Sequence, residues 1–564
     1  MTFLLLSSSS FRCSISKNYF LHLMPVDQKQ VKNKKKVIVV GGGIAGLTTA
    51  TALVKKGVDV LLLEKNDKCG GLVNSFERDG FLFDGGIRAL ENAGMIKPML
   101  KELGIDHPLF RSKISLGVED DVIHVETEES INDYEDQLIR LYPESRDDVG
   151  KVISVIEKMR EHMNVLFGSD SPFFKDIKRN TGYYFTTLFV WIYKLIGTVI
   201  AIIRMKVPVE DYLDKIIKNR SLYDIISQHF FRNTPAFFAM SYFALYIDYF
   251  YPKGGVGQVP LKIEEKFKEL GGEVSTGTDI TEVDIASKSV HDNNGNVYAY
   301  DKLIWAADLK QLYRMIKTED LTGKIRVKSE TEKEKILSRR GAESVFTVFM
   351  GVDLDPSYFQ DISYGHFFYT PSRKGLGNIQ RSELKEMLSN WKNVSREEVL
   401  EWVDRFCELN TYEISIPVLN DPDTAPEGKT GIIASLLLDY ALVKHVKDDG
   451  WYEDFVEYME KKIIDVLNQS VYPALSENLI FSFPASPMTI EKRVRSSEGA
   501  IVGWSFEESI PIKGSMINMK DSVKTSMPDV FKVGQWAASP AGLPTCILTA
   551  KLAADMVAKE YKAG

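Results

Sequence analysis

Cysteine is scarce, with four residues in a chain of 564. Cys13, Cys69, Cys407 and Cys546 are scattered without metal-ligand spacing, which excludes a zinc site and a disulfide framework and fits a reducing compartment. A basic stripe is also missing. Lysines cluster only at residues 32–36 and the net charge is −8, which argues against a nucleic-acid surface. The eight histidines form no Ser/His/Asp or metal pattern, and no internal repeat or low-complexity segment is evident. What remains is an ordinary folded composition, 44% hydrophobic and 26% charged, on a chain long enough for two or three domains.

The organising stretch is residues 36–89. Val37, Ile38, Val39 and Val40 form a short apolar run suited to a strand buried on both faces. Gly41, Gly43 and Gly46 follow in GxGxxG spacing, then a helix-like segment 47–56, a stop at Gly57 and a second apolar strand 58–63 ending in Glu64. Gly41 permits the tight turn, Gly43 lets backbone approach a pyrophosphate, and Gly46 lets the helix lie close on the strand. The helix start, with Ile44 and Ala45, points unpaired N–H groups and a positive dipole end at phosphate. Glu64, 18 residues after Gly46, stands where a carboxylate binds adenosine ribose hydroxyls. Strand, glycines, helix and acid agree on a dinucleotide site.

A second glycine-punctuated unit decides between dinucleotides. Lys65 follows the acid; then come Gly70, Gly71 and Leu72, a strand at 73–76, an Asp79-Gly80 turn, and 81–84 ending in Asp84 before Gly85 and Gly86. This pattern resembles the flavin amine oxidase and phytoene desaturase superfamily, and the resemblance implies FAD. That family usually has Arg or Lys directly after the glycine pair, where this chain has Leu72. Arg88 is a candidate charge nearby, with an exposed helix-start residue as the alternative.

The resemblance extends along the chain. The order YPKGG, helix, GGEV, ITEV, turn, DKLIWAAD over 251–308 is similar to the desaturases, and implies a backbone contact from Val283 to adenine. At the end, a buried strand at 530–533 runs into Gly534, Gln535 and Trp536, then Gly542, Leu543 and Pro544 and a small-residue helix. A glycine turn there again offers N–H groups to phosphate or to the flavin ring edge. Joined to the fingerprint about 490 residues earlier, this closure implies a bound flavin. Glu491 is the candidate acid near the ring, with a structural salt bridge as its alternative. Cys546 reads as a small core thiol rather than a covalent flavin link. His366 reads as part of an aromatic wall.

The expected fold class is α/β: a glutathione-reductase-type FAD-binding Rossmann domain assembled from residues 36–94, 252–310 and 490–564. An α+β substrate domain takes 95–251 and 311–489, with 105–251 mostly helical, and residues 1–35 form an N-terminal extension. Residues 1–24 hold serines, Arg12, Lys17 and no acid, loosely like an organelle transit segment, the alternative being a start at Met24.

The most apolar window is 185–203, whose nineteen residues span roughly 28 Å as a helix. Eleven are Phe, Leu, Ile or Val, worth roughly 3–7 kcal/mol for insertion, against roughly 2.5–3.5 kcal/mol opposing it from the central Lys194. A single crossing would divide the flavin domain between compartments. Tyr184, Thr187, Trp191, Lys194, Thr198 and Ala201 fall on one narrow helical stripe, which suits a helix lying in the membrane plane with its wet stripe outward. A buried core helix and a true span are the alternatives.

Together these features imply an FAD-dependent oxidoreductase resembling phytoene desaturases. It would desaturate or saturate a carbon–carbon bond of a lipophilic polyene or isoprenoid by hydride exchange with the flavin. A redox-neutral carotenoid-type cis–trans isomerase and an amine oxidase are the enzymatic alternatives. A lipid binder resembling GDP-dissociation inhibitors is disfavoured by the intact closure. The expected partners are a hydrophobic small molecule and, through 185–203, the cytoplasmic side of a membrane.

Overall fold

The computed structural model describes residues 31–92, 94–167, 189–318, 321–512 and 519–563. Val37 to Val40 are buried on both faces because the strand Val31–Val40 is central. It pairs in parallel with Val60–Leu63 on one side and with Val297–Trp305 on the other. Glu273–Ser275 and Val530–Lys532 add parallel strands outside these two. Ile280–Asp284 and Ser289–Asp292 enter as an antiparallel meander against the first half of Val297–Trp305. The sheet is therefore built from chain segments hundreds of residues apart. One face is covered by the helices Ile44–Val54, Gln258–Glu269 and Leu543–Ala563 through Leu47, Leu53, Ile263, Phe267, Ile547 and Val557.

A second sheet runs in the order Leu479–Ala485, Ser344–Val352, Thr430–Leu438, Tyr412–Ser415, His366–Thr370, Ile114–Val118, Asp121–Val125. Period-two alternation gives it two different faces. Phe346, Val348, Leu436, Ile414 and Tyr369 point outward into a core closed by Trp402, Phe406 and Leu467. Val345, Thr347, Phe349, Ser435, Glu413, His366 and Phe368 point the other way, into a cavity.

Two expectations need correction here. The stretch 105–251 is helical over Ser130–Leu141, Arg146–Phe167, Phe189–Arg204 and Ala236–Tyr246, but Leu109–Arg111, Ile114–Val118 and Asp121–Val125 are strands. Their hairpin turns at Glu119, with φ of 55°, so the Asn-Gly or Asp-Gly signal that announces such turns is missing.

The apolar helix Phe189–Arg204 is also oriented opposite to expectation. Its stripe faces protein at two positions, while Lys194 of the same stripe is exposed: Trp191 is 8% exposed and its Nε1 donates to Val165 O at 2.6 Å, and Thr198, 0% exposed, meets His162 Nδ1 at 2.9 Å. The outward face is Val190, Ile192, Tyr193 (80% exposed), Ile196 (57%), Ile200 and Ile203. Two polar groups that find partners on a neighbouring helix are cheaper buried than two left unpaired, and that turns the isoleucines out. Residues 1–24 and the stripe positions Tyr184 and Thr187 lie outside the described residues. Among those described, no helix is long and apolar enough to cross a membrane.

Candidate functional site

The fingerprint turn is shaped by contacts that tolerate no side chain. Gly41 has φ of +105° and sits against Ala306 backbone; a Cβ on Gly46 would lie 1.9 Å from Gly41 O. The helix Ile44–Val54 is capped by Gly43 with no side-chain hydrogen bond, so its first-turn N–H groups are left for a ligand. A Cβ on Gly43 would meet no protein atom within 4 Å. Beside this cradle the buried Glu64 carboxylate accepts from Gly42 N at 2.7 Å and from Asn66 N and Nδ2, both at 2.9 Å, which fixes its direction while leaving lone pairs for hydroxyls. Uncapped helix start, open glycine and aimed carboxylate fit the diphosphate and ribose of FAD.

A single cavity of about 460 Å³ joins this cradle to the second sheet. Gly41, Gly43, Ile44, Ala45, Glu64, Lys65, Gly70, Gly71, Leu72, Gly86, Arg88, Gly534, Gln535, Gly542 and Leu543 all line it. Burial, and then the neighbouring Arg495, lowers the pKa of the Lys65 ammonium. Cys546 also lines the cavity, and burial pushes its thiol up to about 12, so it stays neutral.

Five of the expected residues lie off the cavity. Gly46 lies beneath the turn, and Pro544 within the first turn of the last helix. Val283 is in the strand core opposite Ile316; Thr278, Asp279 and Ile280 occupy the cavity edge instead, because the strand leaves the site at its first residue. Asp84 is fully buried and accepts from Ser75 Oγ (2.7 Å), Tyr251 OH (2.8 Å) and Val256 N (3.0 Å), tying the 254–257 loop to the hairpin. Burial holds its carboxyl above the usual range. Glu491 accepts from Tyr440 OH at 2.8 Å, and its neighbours Ile490 and Val494 reach the cavity in its place.

Arg88 is neither exposed nor at a helix start. It is buried, with Nη1 donating to Asp84 O at 2.6 Å and Nη2 to Ser435 Oγ at 2.7 Å and Thr347 Oγ1 at 3.4 Å. Thr347, Ser435 and Glu413 stand side by side on three adjacent strands, a polar row across an otherwise apolar wall. His366, as expected, sits among aromatic rings, 5.0 Å from Phe368 and 5.5 Å from Tyr249, but its Nε2 also meets Glu413 Oε1 at 3.0 Å. Burial alone would raise the Glu413 carboxyl; the His366 hydrogen bond and the charges of His366 and Arg88 hold it below the ordinary value. The rest of the far end is Phe230, Phe231, Phe238, Tyr242, Phe349 and Leu437. His229 lies there too, and burial lowers its imidazole to about 4, so it is neutral at physiological pH.

Sequence reasoning missed Glu91, Glu413, Thr347 and Ser435. The last three carry one signal, a polar residue on the inward face of an apolar strand, which becomes visible only when strand neighbours are known.

Comparison with known proteins agrees with this geometry. The sequence profile described as flavin containing amine oxidoreductase matches residues 210–558, and that of an NAD(P)-binding Rossmann-like domain matches 39–103. The chain is 21% identical over 543 residues to a 1-hydroxycarotenoid 3,4-desaturase of Flavobacterium sp. (strain P99-3), covering 93% of this chain and 99% of that one. It is equally 21% identical over 550 residues to a 4,4'-diapophytoene desaturase (4,4'-diaponeurosporene-forming) of Staphylococcus aureus (strain COL), covering 94% and 100%. Among solved structures, a triple mutant of putrescine oxidase superposes with a TM-score of 0.57 at 15% identity, covering 94% of this chain and 99% of that one; this likeness is one of fold.

Proposed function

The chain belongs to the flavin containing amine oxidoreductase family, and from that premise we propose that it desaturates a carbon–carbon bond in a long lipophilic polyene or isoprenoid. It is an FAD-dependent oxidoreductase. The observation that carries the substrate class is the continuity of one cavity from the Glu64 cradle to a wall of Phe230, Phe231, Phe238, Phe349 and Phe368. Flavin, when bound, accepts a hydride from substrate carbon. The chain's own residues do the rest: the aromatic wall holds an apolar chain and excludes water, and Arg88 fixes the position of the wall through Ser435 and Thr347.

Anaerobic addition of a linear carotenoid precursor to the yellow protein should bleach the flavin and yield a product with one more double bond. Bleaching by alkylamines but not by polyenes would overturn the reading. An isomerised product without net flavin reduction would replace it with the isomerase alternative.

The outward row from Val190 to Ile203 supports a peripheral seat in lipid, from which a water-insoluble substrate is drawn without crossing water. Lys194 and Arg204 on the helix and Lys206 just beyond its end are exposed and suit anionic headgroups. Fully burying one isoleucine is worth about 1.5–3 kcal/mol, so the double substitution I196E/I200E should weaken partitioning into anionic vesicles by about a hundredfold or more. Flavin content should be unchanged; vesicle binding equal to wild type would remove lipid from this account.

A further inference from the structure

The cavity contains a carboxylate that no fingerprint explains. Glu91 ends the short strand Leu90–Glu91, five residues after Gly86, where it pairs with Tyr249. Its side chain lines the cavity, and Oε2 lies 3.9 Å from the position a Cβ on Gly542 would take. That places the carboxyl against the turn leading into the last helix, on the flavin side of the site. Among the described residues, no donor hydrogen-bonds Glu91 and no cation pairs with it. An enclosed carboxyl without partners is costly to ionise, and carboxyls kept at that cost inside a cavity are functional candidates.

We propose that Glu91 is the proton acceptor of the dehydrogenation. The step rests on the desaturase reading. One carbon–hydrogen bond of the substrate would break with its hydrogen and both bonding electrons leaving together as hydride to oxidised flavin. The carbon–hydrogen bond on the adjacent carbon breaks with its proton passing to a Glu91 oxygen, and its electron pair becomes the new π bond. Electrons and protons then balance without a further reactant in the half-reaction.

The surroundings suit proton exchange. Burial first, and the Asp248 carboxylate second, raise the Glu91 carboxyl to about 7. Asp248 itself is held by Asn92 Nδ2 at 3.0 and 3.2 Å. The hydroxyls of Tyr242 and Tyr249, 3.1 Å apart and both raised by burial, face Glu91, and the neutral Cys546 thiol lines the same cavity from the last helix. Beyond Tyr249 stands His366. The two tyrosine hydroxyls and the Cys546 thiol stay protonated near neutrality.

The test uses the flavin-loaded full chain. In E91Q, flavin content should match wild type while anaerobic flavin reduction by the polyene slows about a hundredfold to ten-thousandfold, the usual span for a lost general base. Because the carboxylate is the acceptor, wild-type reduction should rise with pH through about 7 and level off; E91Q should lose that dependence and E91D should keep it at a lower rate. A readout free of turnover is the infrared band of the protonated carboxyl in the resting protein, which should vanish with the same midpoint and be missing from E91Q. A wild type that bleaches while E91Q bleaches equally fast, or with the same pH midpoint, overturns the assignment alone. A wild type that no polyene bleaches overturns the desaturase reading and the assignment with it.

Discussion

Gly46→Ala should give a protein with no bound flavin and a folded state at least about 3 kcal/mol weaker, at or beyond the upper end of ordinary overpacking. The new methyl would lie 1.9 Å from Gly41 O and 3.1 Å from Ala306 Cβ. The first is backbone in the turn that feeds the helix, so no rotamer change relieves it. The helix Ile44–Val54 must lift by more than 1 Å to restore an ordinary contact of about 3.4 Å, and it carries the phosphate-facing N–H groups with it. Gly43→Ala is the matched control. Gly43 has φ of −69°, and its added methyl meets no protein atom within 4 Å, so apo-protein stability should equal that of wild type. That methyl would project into the space the diphosphate takes, and flavin affinity should still fall. Thermal unfolding of the two apo-proteins, with flavin absorbance at purification, separates the cases. Equal stability of the two variants would show that the close approach at Gly46 is not needed.

That contrast marks what was legible in the chain. The placement of Gly41, Gly43, Gly46 and Glu64 could be read directly because it is set by backbone geometry within one strand–turn–helix unit. Gly534, Gln535 and Gly542 reach the same cavity from the turn before the last helix, a second strand–turn–helix unit that local sequence could place. Where a role depends on which strands are neighbours, reading failed. Thr347, Ser435 and Glu413 are far apart in sequence and adjacent only across the second sheet. Val283 lies three residues beyond Ile280, where its strand leaves the cavity; strand identity is easier to read than the point at which a strand leaves a site. Glu491 and Asp84 have the charge a site needs but spend it on Tyr440 and on Ser75, Tyr251 and Val256. The apolar helix Phe189–Arg204 shows the limit most plainly. Periodicity identified its polar stripe, but whether that stripe meets water or protein depended on His162 and Val165, one helix away.

Arg232→Met should cost about 3–5 kcal/mol of stability, the usual consequence of removing one partner from a buried ion cluster. The guanidinium ties the helical insert to the sheet domain: Nε lies 3.0 Å from Glu343 Oε1, and Nη2 is 2.5 Å from Asp439 Oδ2 and 3.4 Å from Glu507 Oε2. Its backbone N–H also donates to Glu343 Oε2 at 2.7 Å. Without the guanidinium, Asp439 keeps Arg340 and the Ala441 N–H, whereas Glu343 keeps only that backbone N–H and Gln380. Burial already holds the Glu343 carboxyl above its usual range, and Arg232 is what pulls it back. In the variant its folded-state pKa rises further, so the folded chain binds a proton that the unfolded chain, with an ordinary glutamate near 4.5, releases. Because the wild-type carboxyl is already raised in the folded state, stability of the variant relative to wild type should fall as pH rises through that folded-state value, above the ordinary 4.5, and recover below it. Unfolding compared near pH 5 and near pH 8 should show the larger deficit at the higher value. Adding E343Q to the variant should restore much of the loss, because the amide removes the unpaired charge; a double variant no more stable than Arg232→Met would trace the cost to lost packing. Phe230, Phe231 and Thr234 of the cavity wall flank this arginine in sequence, so the same substitution should loosen the apolar end of the site and raise the KM for polyene before it touches flavin binding at the far end.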